Sequence, residues 1–364
     1  MSSRLHVLVP DGNSTWALSV IRCLSQVEDY KIFVLANKKR AATKYSRYTA
    51  AFNFLKRGDD EQWLQLVNAE IASKSIDIVV PIAEHEISFF IKHKALLNPS
   101  AKIIPLPSLE AFEIATNKKR LSDFALKHQI SHPRSFYVSN EEERKTFLLE
   151  ATFPVLIKPL NEKGGDGIKK ILSKDKFPKR SKSALFIQEY IEGYDIDCSV
   201  LCLNGNILTH TVQKGNLKGH SAFAPQLGFD FIKNEEVLKA VSNVMSQLNW
   251  SGVAHLDLRY DELAQDYKLI EINARFWGSV EASERAGVNF PHLAIQLAIN
   301  GVIPDTDFDA IPYMRLKGVL KSIKRRPSFI FNTKFLMDYT EVKAFLKDPL
   351  PTAYKFREWL GRRL

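Results

Sequence analysis

Three polar side chains in the second half of the chain have the types and spacing of a metal site. Asp257 precedes a polar turn, and Glu271 and Asn273 follow that turn with one residue between them. The run from Tyr267 to Asn273 is otherwise apolar or aromatic, which predicts a core strand with Glu271 and Asn273 on one face. Mg²⁺ prefers such oxygen ligands, and Arg275 has the spacing to face the same site and hold a carboxylate or phosphate. A hairpin with solvent-facing polar residues explains the same stretch, and both interpretations stay open.

Two upstream segments have residues suited to binding phosphate. Lys158 lies in the apolar run VLIKPL, where an ammonium group needs an anionic partner or an exit to water, as on an edge strand. The segment NEKGGDGI (161–168) contains Gly164, Gly165 and Gly167, which allow backbone amides to surround phosphate oxygens. No Gly-Lys-Ser/Thr follows, so this is not a P-loop, and a glycine-rich hairpin turn remains the alternative.

Two further segments suggest ligand contacts with less specificity. In IQEYIEGYDID (187–197) an exposed main-chain edge could pair with adenine and Asp195 could accept from ribose hydroxyls, although a strand and a glycine turn explain it equally. In QKGNLKGHSAF, Lys214, Lys218 and His220 suit a carboxylate or phosphate, or are ordinary loop residues.

Length and composition predict a cytoplasmic globular protein of two or three domains. The chain has 364 residues, of which 45% are hydrophobic and 25% charged. Its three cysteines, Cys23, Cys198 and Cys202, are too few and too poorly spaced for a disulfide framework or a zinc knuckle, so we expect buried reduced thiols. The N-terminus does not read as a secretory signal, and no apolar stretch is long enough for a transmembrane helix.

The positive charge of the chain is concentrated in its last fifty residues. The net charge is +10, and the segment from Arg315 to Leu364 holds 13 Lys or Arg against 4 Asp or Glu. Aromatic and leucine side chains interleave with these charges, which suits helices packed on the core with a cationic outer face, or a peripheral contact with a membrane or another anionic polymer. Nucleic acid is not an expected partner, because no recognised binding motif is present.

Alternating strand and helix patterns predict a parallel α/β sheet at the N-terminus. We expect strands at 5–10, 31–37, 76–83 and 101–107, with helices at 16–26, capped by Ser14 or Thr15, and at 61–74. Asp11 and Glu84 follow two of these strands and are either ligand contacts or a turn residue and a helix-cap carboxylate. No G-x-G-x-x-G follows the first strand, which argues against a dinucleotide site there.

The second half of the chain predicts mainly hairpins. Strands are expected at 154–160, 186–191, 253–260 and 267–274, and the segment 198–212 reads as a hairpin that turns at Asn204-Gly205. The predicted helices lie at 108–115, 118–128, 235–248 and about 291–300.

In their order and spacing these motifs resemble the ATP-grasp superfamily, from about Phe112 to about Asn300. The similarity is strongest to its carbamoyl-phosphate-synthase-like, carboxylate–amine ligase branch. The segments that carry it are TNKKRLSDFALKHQISHP, FPVLIKP, NEKGGDGI, QEYIEGYD and IEINARFWGS. One departure is Asp166, which stands in the glycine loop where small or basic residues are commoner.

The resemblance implies a fold class and a division into domains. The expected class is α/β and α+β, with an N-terminal parallel pre-grasp domain (1–110) and an ATP-grasp domain (111–300). The latter comprises a small lid (about 115–190) and a C-terminal antiparallel sheet (about 191–300), and a basic extension follows (301–364).

The resemblance also implies roles for the residues named above. ATP would be bound by Lys118, Lys158, Gly164, Gly165, Gly167, Gln188, Glu189, Tyr190, Ile191 and Asp195. Mg²⁺, with Mn²⁺ as an alternative ion, would be bound by Asp257, Glu271 and Asn273. Arg275 and Lys158 would act on the transferring phosphate.

The function implied is an ATP- and Mg²⁺-dependent ligase that joins a carboxylate to an amine through an acylphosphate. Its partners would be a small carboxylate and a small amine, and a homodimer stays open. The alternatives are a small-molecule kinase, which needs no amine, and a nucleotide-binding protein without turnover.

Overall fold

Short apolar strands alternate with helices in the first part of the chain and build a parallel sheet. The structure is a computed structural model that describes residues 4–159, 167–178, 184–219 and 224–361. The first elements are β1 (Leu5–Val9), α1 (Ala17–Leu24), β2 (Tyr30–Ala36), β3 (Thr49–Phe54), α2 (Asp60–Lys74), β4 (Ile78–Val79), α3 (Glu84–His93) and β5 (Lys102–Ile103). The five strands pair in the order β3-β2-β1-β4-β5.

The central strand β1 is buried on both faces, which explains its uninterrupted apolar sequence. Val7 and Val9 belong to the largest hydrophobic core, and Leu8 belongs to a second core on the opposite face. All three side chains are fully buried. Parallel sheets need helices on both faces, and α2 supplies Trp63 and Val67 to the second core.

Some local predictions for this part of the chain were wrong or incomplete. Helix α1 begins at Ala17 after Trp16, which makes no side-chain capping bond, so neither Ser14 nor Thr15 is its cap. Strand β3 was not predicted, because its half-exposed residues show no clean alternation. Helix α3 was also not predicted.

A second, antiparallel sheet follows, with helices around it. Its elements are α4 (Leu109–Thr116), α5 (Lys118–Lys127), β6 (Ser135–Val138), α6 (Glu141–Glu150), β7 (Val155–Lys158), β8 (Lys169–Ile171) and β9 (Leu185–Glu189). The strands pair in the order β6-β9-β7-β8, so β7 and its Lys158 lie inside the sheet and not at its edge.

The third sheet is antiparallel and has six strands. Its elements are β10 (Gly193–Leu203), β11 (Asn206–Leu217), β12 (Gly228–Phe231), α7 (Glu235–Gln247), β13 (Gly252–Asp261), β14 (Asp266–Asn273), α8 (Val280–Arg285), α9 (Phe290–Asn300) and β15 (Pro312–Met314). The order is β14-β13-β10-β11-β12-β15. The predicted hairpin turn is confirmed: Asn204 and Gly205 both have positive φ, as a two-residue hairpin loop requires.

These sheets confirm the predicted fold class, α/β and α+β with one parallel and two antiparallel sheets. The three cysteines are free and buried, as expected. The domain limits at residues 110 and 300 stay a prediction, and the last strand, β15, extends the six-stranded sheet beyond residue 300.

The basic C-terminal segment consists of short helices that pack partly on the N-terminal sheet domain. They are α10 (Leu316–Arg325), α11 (Thr333–Asp338), α12 (Val342–Lys347) and α13 (Pro349–Gly361). Among the described residues no helix is both long and apolar enough to cross a membrane. Peripheral contact of this segment with a membrane or an anionic polymer stays a prediction.

Asp348 attaches this segment to the N-terminal domain. Its buried carboxylate accepts hydrogen bonds from Ser46 Oγ at 2.8 Å and from the backbone amide of Arg47 at 3.0 Å. Arg22 Nε lies 3.3 Å from the same carboxylate. One acidic side chain therefore satisfies three donors from the other end of the sequence.

We expect Asp348→Ala to lower the free energy of unfolding by about 2–3 kcal/mol, because it leaves buried donors without an acceptor. Urea unfolding measures the change. The matched control is Asp338→Ala at an exposed carboxylate, expected to cost less than about 0.5 kcal/mol. Equal effects of the two substitutions would contradict this role for Asp348.

Candidate functional site

One cavity of about 280 Å³ lies between the second sheet and strand β14 of the six-stranded sheet. Helix α5 and strands β7 and β9 line one side of it, β14 lines another, and the first residue of α3 reaches it. The polar lining includes Glu84, Lys118, Lys158, Gln188, Glu271 and Asn273. Residues that are up to 189 positions apart in the chain therefore share one space.

Lys158 is a buried ammonium group with a fixed hydrogen-bond partner. The residue is 9% exposed, and its Nζ donates to Gln188 Oε1 at 2.6 Å. Gln188 is itself held, because its Nε2 donates to Ser135 Oγ at 3.1 Å. Burial lowers the pKa of Lys158 to about 8, the Lys118 ammonium lowers it too, and the Glu271 carboxylate opposes both.

Lys118 reaches the same cavity from the start of helix α5. Asn117 caps this helix by accepting from the backbone amides of Lys119 and Arg120, both at 3.0 Å. The Lys118 Nζ donates to the carbonyl oxygen of Pro159 at 3.0 Å, directly after β7. The cap and the strand end thus bring a second ammonium group beside Lys158.

The predicted metal ligands lie together on neighbouring strands. Asp257 on β13 is paired with Glu271 on β14. Asn273 Nδ2 lies 3.3 Å from Asp257 Oδ1 and 3.4 Å from Glu271 Oε1. Two carboxylates converge on one amide, and a turn of that amide would present a third oxygen. This all-oxygen set fits a hard divalent cation such as Mg²⁺.

Burial, and then charged neighbours, shift the pKa values of Asp257 and His255 on this strand pair. Burial raises the pKa of Asp257, and the carboxylates of Glu271 and Asp197 raise it further. Burial lowers the pKa of His255 to about 3, and the Arg275 and Arg315 guanidinium groups act in the same direction.

Arg275 is positioned by three contacts. Its Nη2 donates to Asn273 Oδ1 at 2.7 Å, and its Nη1 donates to the carbonyl oxygen of Phe276 at 2.9 Å. Its Nε lies 3.5 Å from Glu84 Oε1. Glu84, one of the two strand-end candidates, therefore lies in the cavity at the N-terminus of α3. The other, Asp11, is a buried loop residue that accepts from two backbone amides.

The end of β9 and the residues that follow it, which the sequence predicts to hold adenine, are hydrogen-bonded to neighbouring backbone of the second sheet. The backbone amide of Glu189 donates to the carbonyl oxygen of Arg134 at 2.9 Å, and the amide of Tyr190 donates to that of Pro154 at 3.2 Å. The ammonium group of Lys170 lies 3.3 Å above the Tyr190 ring.

Arg259, which sequence reasoning missed, clamps the rest of this segment. Its Nε donates to the carbonyl oxygen of Ile191 at 2.6 Å, and its Nη2 donates to that of Gly193 at 2.8 Å. Its Nη1 lies 2.5 Å from Asp195 Oδ1. Asp195, the predicted ribose contact, is about half exposed and is already ion-paired.

The glycine loop is described only at its end. Gly164 and Gly165 lie outside the described residues, as does His220. Gly167 has φ +73°, and a Cβ there would lie 2.8 Å from Pro159 Cγ. Lys214 Nζ lies 3.6 Å above the Tyr194 ring, and Lys218 accepts a hydrogen bond through its carbonyl oxygen.

Sequence reasoning also missed further polar residues on the face that carries Asp257. Asp197 is paired with Asp257 across β10 and β13, and Ser199 is paired with His255. The spacing of two between Asp197 and Ser199, and between His255 and Asp257, is the same signal that drew attention to Glu271 and Asn273.

Comparison with known proteins is consistent with this geometry. Residues 181–319 match a family model described as "ATP-grasp in the biosynthetic pathway with Ter operon". The carbamoyl phosphate synthase large chain of Thermoanaerobacter sp. (strain X514) is 20% identical over 238 residues, covering 60% of this chain and 22% of that protein. The chain thus spans about a fifth of the length of the curated relatives it matches.

Two solved structures illustrate the similarity of fold. The L-amino acid ligase from Bacillus licheniformis has a TM-score of 0.61 at 18% identity, covering 82% of this chain and 74% of that one. The biotin carboxylase domain of the Hydrogenobacter thermophilus 2-oxoglutarate carboxylase, in complex with MgADP, ADP and bicarbonate, has a TM-score of 0.65 at 16% identity. It covers 85% of this chain and 73% of its own.

We expect Gln188→Glu to raise the pKa of Lys158 by about one unit or more, because a carboxylate within hydrogen-bond distance favours the charged ammonium. The ¹³Cε chemical shift of labelled lysine, followed against pH, measures this. Gln26→Glu adds the same charge at an exposed position just after α1 and serves as the control. An unchanged Lys158 titration in Gln188→Glu would show that the contact does not set this pKa.

Proposed function

We propose that the chain is a member of the ATP-grasp superfamily and that it is an ATP- and Mg²⁺-dependent carboxylate–amine ligase. It would form an amide or peptide bond between two small molecules. The observation that carries the proposal is the single cavity that holds Lys118, Lys158, Glu271 and Asn273. Two ammonium groups face an all-oxygen metal set there, which is the arrangement that a triphosphate and its cation require.

The reaction has two steps. The carboxylate of the first substrate attacks the γ-phosphorus of ATP and releases ADP, which leaves an acylphosphate. The amine of the second substrate then attacks the acyl carbon, expels phosphate and loses a proton. No nucleophilic side chain is needed, because the substrate oxygen and nitrogen are the nucleophiles.

The two lysines account for the phosphate end of the nucleotide. Phosphoryl transfer depends mainly on positioning and on neutralising charge at the transferred group. Lys158 and Lys118 would supply that charge from a buried and a partly buried position. The glycines at 164, 165 and 167 would cover the phosphates and exclude water from the acylphosphate.

The remaining nucleotide contacts would come from the end of β9 and the residues that follow it. The side chain of Gln188 and the segment Glu189–Ile191 would border the adenine, and Asp195 would accept from the ribose. Arg259 supports this proposal, because it fixes the backbone of Ile191 and the carboxylate of Asp195 at once.

Asp257, Glu271 and Asn273 would hold Mg²⁺, with Mn²⁺ as an alternative. The ion would supply charge neutralisation at the phosphates. Arg275 lies next to this set through its contact with Asn273 and would face the transferring phosphate. Its neighbour Glu84 contacts the guanidinium and would help to orient it.

Purified protein with ATP, Mg²⁺ and pools of acids and amines tests the proposal. We expect ADP and phosphate release that requires both an acid and an amine, and we expect Glu271→Gln to lower kcat about 100-fold or more. The control is Glu262→Gln, an exposed glutamate on the turn between β13 and β14.

Other outcomes would point elsewhere. A phosphorylated acid that accumulates without any amine requirement would identify a kinase. The absence of nucleotide binding in calorimetry would remove both assignments, and retention of cellular function in Glu271→Ala would indicate a binding protein without turnover.

We also expect the affinity for metal-free ADP to fall by up to about tenfold between about pH 7 and pH 9. The pKa of Lys158 is lowered to about 8, so its ammonium is charged below that pH and loses its proton above it. Calorimetry at each pH measures the loss. Lys158→Arg, which stays charged throughout, should show a flatter profile, and an equal fall in both proteins would contradict this role for Lys158.

A further inference from the structure

Polar side chains continue across the six-stranded sheet beyond the proposed magnesium ligands. Residues paired on adjacent strands lie on the same face, so the register places two rows of polar residues side by side. The first row runs across β14, β13, β10 and β11 as Glu271, Asp257, Asp197 and Gln213. The second runs as Asn273, His255, Ser199 and Thr211.

Within these rows Asp197, His255 and Asp257 form a compact cluster. One ligand atom from each lies within 4.8 Å of the others. His255 Nε2 is 3.3 Å from Asp257 Oδ1 and 4.0 Å from Asp197 Oδ2. A small inward movement would bring all three atoms into contact with one ion.

The His255 ring is held with its Nε2 toward this cluster. Its Nδ1 lies 2.8 Å from Ser199 Oγ, and the indole of Trp277 stacks on it at 5.4 Å with an interplanar angle of 10°. A partner on one ring nitrogen fixes the imidazole and leaves the other to a ligand, as is typical of metal-bound histidines.

Gln213 supplies a second, independent observation. The residue is 5% exposed, and its Nε2 donates to Asp197 Oδ2 at 2.9 Å. Its Oε1 is buried and has no hydrogen-bond partner within the described parts of the chain. Buried amide oxygens are almost always paired, and a turn of this amide would direct the oxygen to the cluster as a fourth ligand.

We propose that Asp197, His255 and Asp257 bind a divalent transition-metal ion beside the proposed magnesium site. One imidazole nitrogen and carboxylate oxygens form a mixed set that suits Mn²⁺ or Zn²⁺, whereas Mg²⁺ favours oxygen alone. The ion lies one strand further along the row, between β13 and β10, and shares only Asp257 with the magnesium set. The inference does not depend on ligase activity.

The competing interpretation is a hydrogen bond from His255 Nε2 to Asp257 without any ion. The two interpretations differ in whether a metal ion is coordinated directly by the His255 Nε2 atom, and this can be measured. Mn²⁺ is the probe, since its electron spin couples to a ligating ¹⁴N nucleus.

The experiment adds Mn²⁺ alone to the full chain, freed of metal and nucleotide, and records its EPR spectrum. We expect bound Mn²⁺ with nitrogen coupling in pulsed EPR. His255→Gln should abolish the coupling, and Asp197→Asn should raise the Mn²⁺ concentration needed for the nitrogen-coupled signal about tenfold or more. Glu271→Gln, which alters only the neighbouring magnesium set, should keep the coupling.

His210→Gln is the matched control. His210 lies on β11 opposite Val200, on the other face of the sheet from the cluster, and packs on Phe308. It should leave both binding and coupling unchanged. Circular dichroism verifies that each variant is folded. If His255→Gln does not fold, the effect of Asp197→Asn on the nitrogen-coupled signal tests the proposed site.

Three results would overturn the inference. They are no nitrogen-coupled Mn²⁺ signal without nucleotide, nitrogen coupling that survives in His255→Gln, and a coupled signal whose Mn²⁺ dependence is unaffected by Asp197→Asn. Loss of coupling in Glu271→Gln would also overturn the inference. It would show that Mn²⁺ occupies one site that includes Glu271, and not a separate site at Asp197, His255 and Asp257.

Discussion

The register between β13 and β14 is the constraint on which the site depends. Asp257 pairs with Glu271 and His255 with Asn273, so these polar side chains project from one face while Leu256 and Ile272 project into the core from the other. A slip of one residue would move every carboxylate into the core and every apolar residue out of it. The apolar face thereby fixes the positions of the polar one.

Charge balance follows from that register. Burial raises the pKa values of Asp257 and Asp197, the latter to about 7, and repulsion from neighbouring carboxylates raises them further. On the other side of the cavity, Lys158 is a buried ammonium group, and burial lowers its pKa. A triphosphate with its cations would relieve both, since it brings anionic oxygens to the lysines and positive charge to the carboxylates.

The surrounding elements hold the two halves of the site in place. Glu84 connects the N-terminal sheet domain to Arg275, and Gln188 connects β9 to Lys158. The chain after residue 300 contributes in the same way, because β15 extends the six-stranded sheet and Asp348 ties the following helices to the N-terminal domain. Each of these contacts joins segments that are distant in sequence.

The sequence by itself determined the fold class and the residues that could carry chemistry. Period-two spacing marked Glu271 and Asn273, and an ammonium in an apolar run marked Lys158, because a strand's side-chain alternation and the cost of burying charge are local properties. The tertiary structure decided which candidates meet. It separated Asp11 from the cavity, brought Glu84 into it, and added Arg259, Asp197 and His255. Strand order and register create those proximities, and pairings between distant segments leave no trace in the local pattern from which the sequence was interpreted.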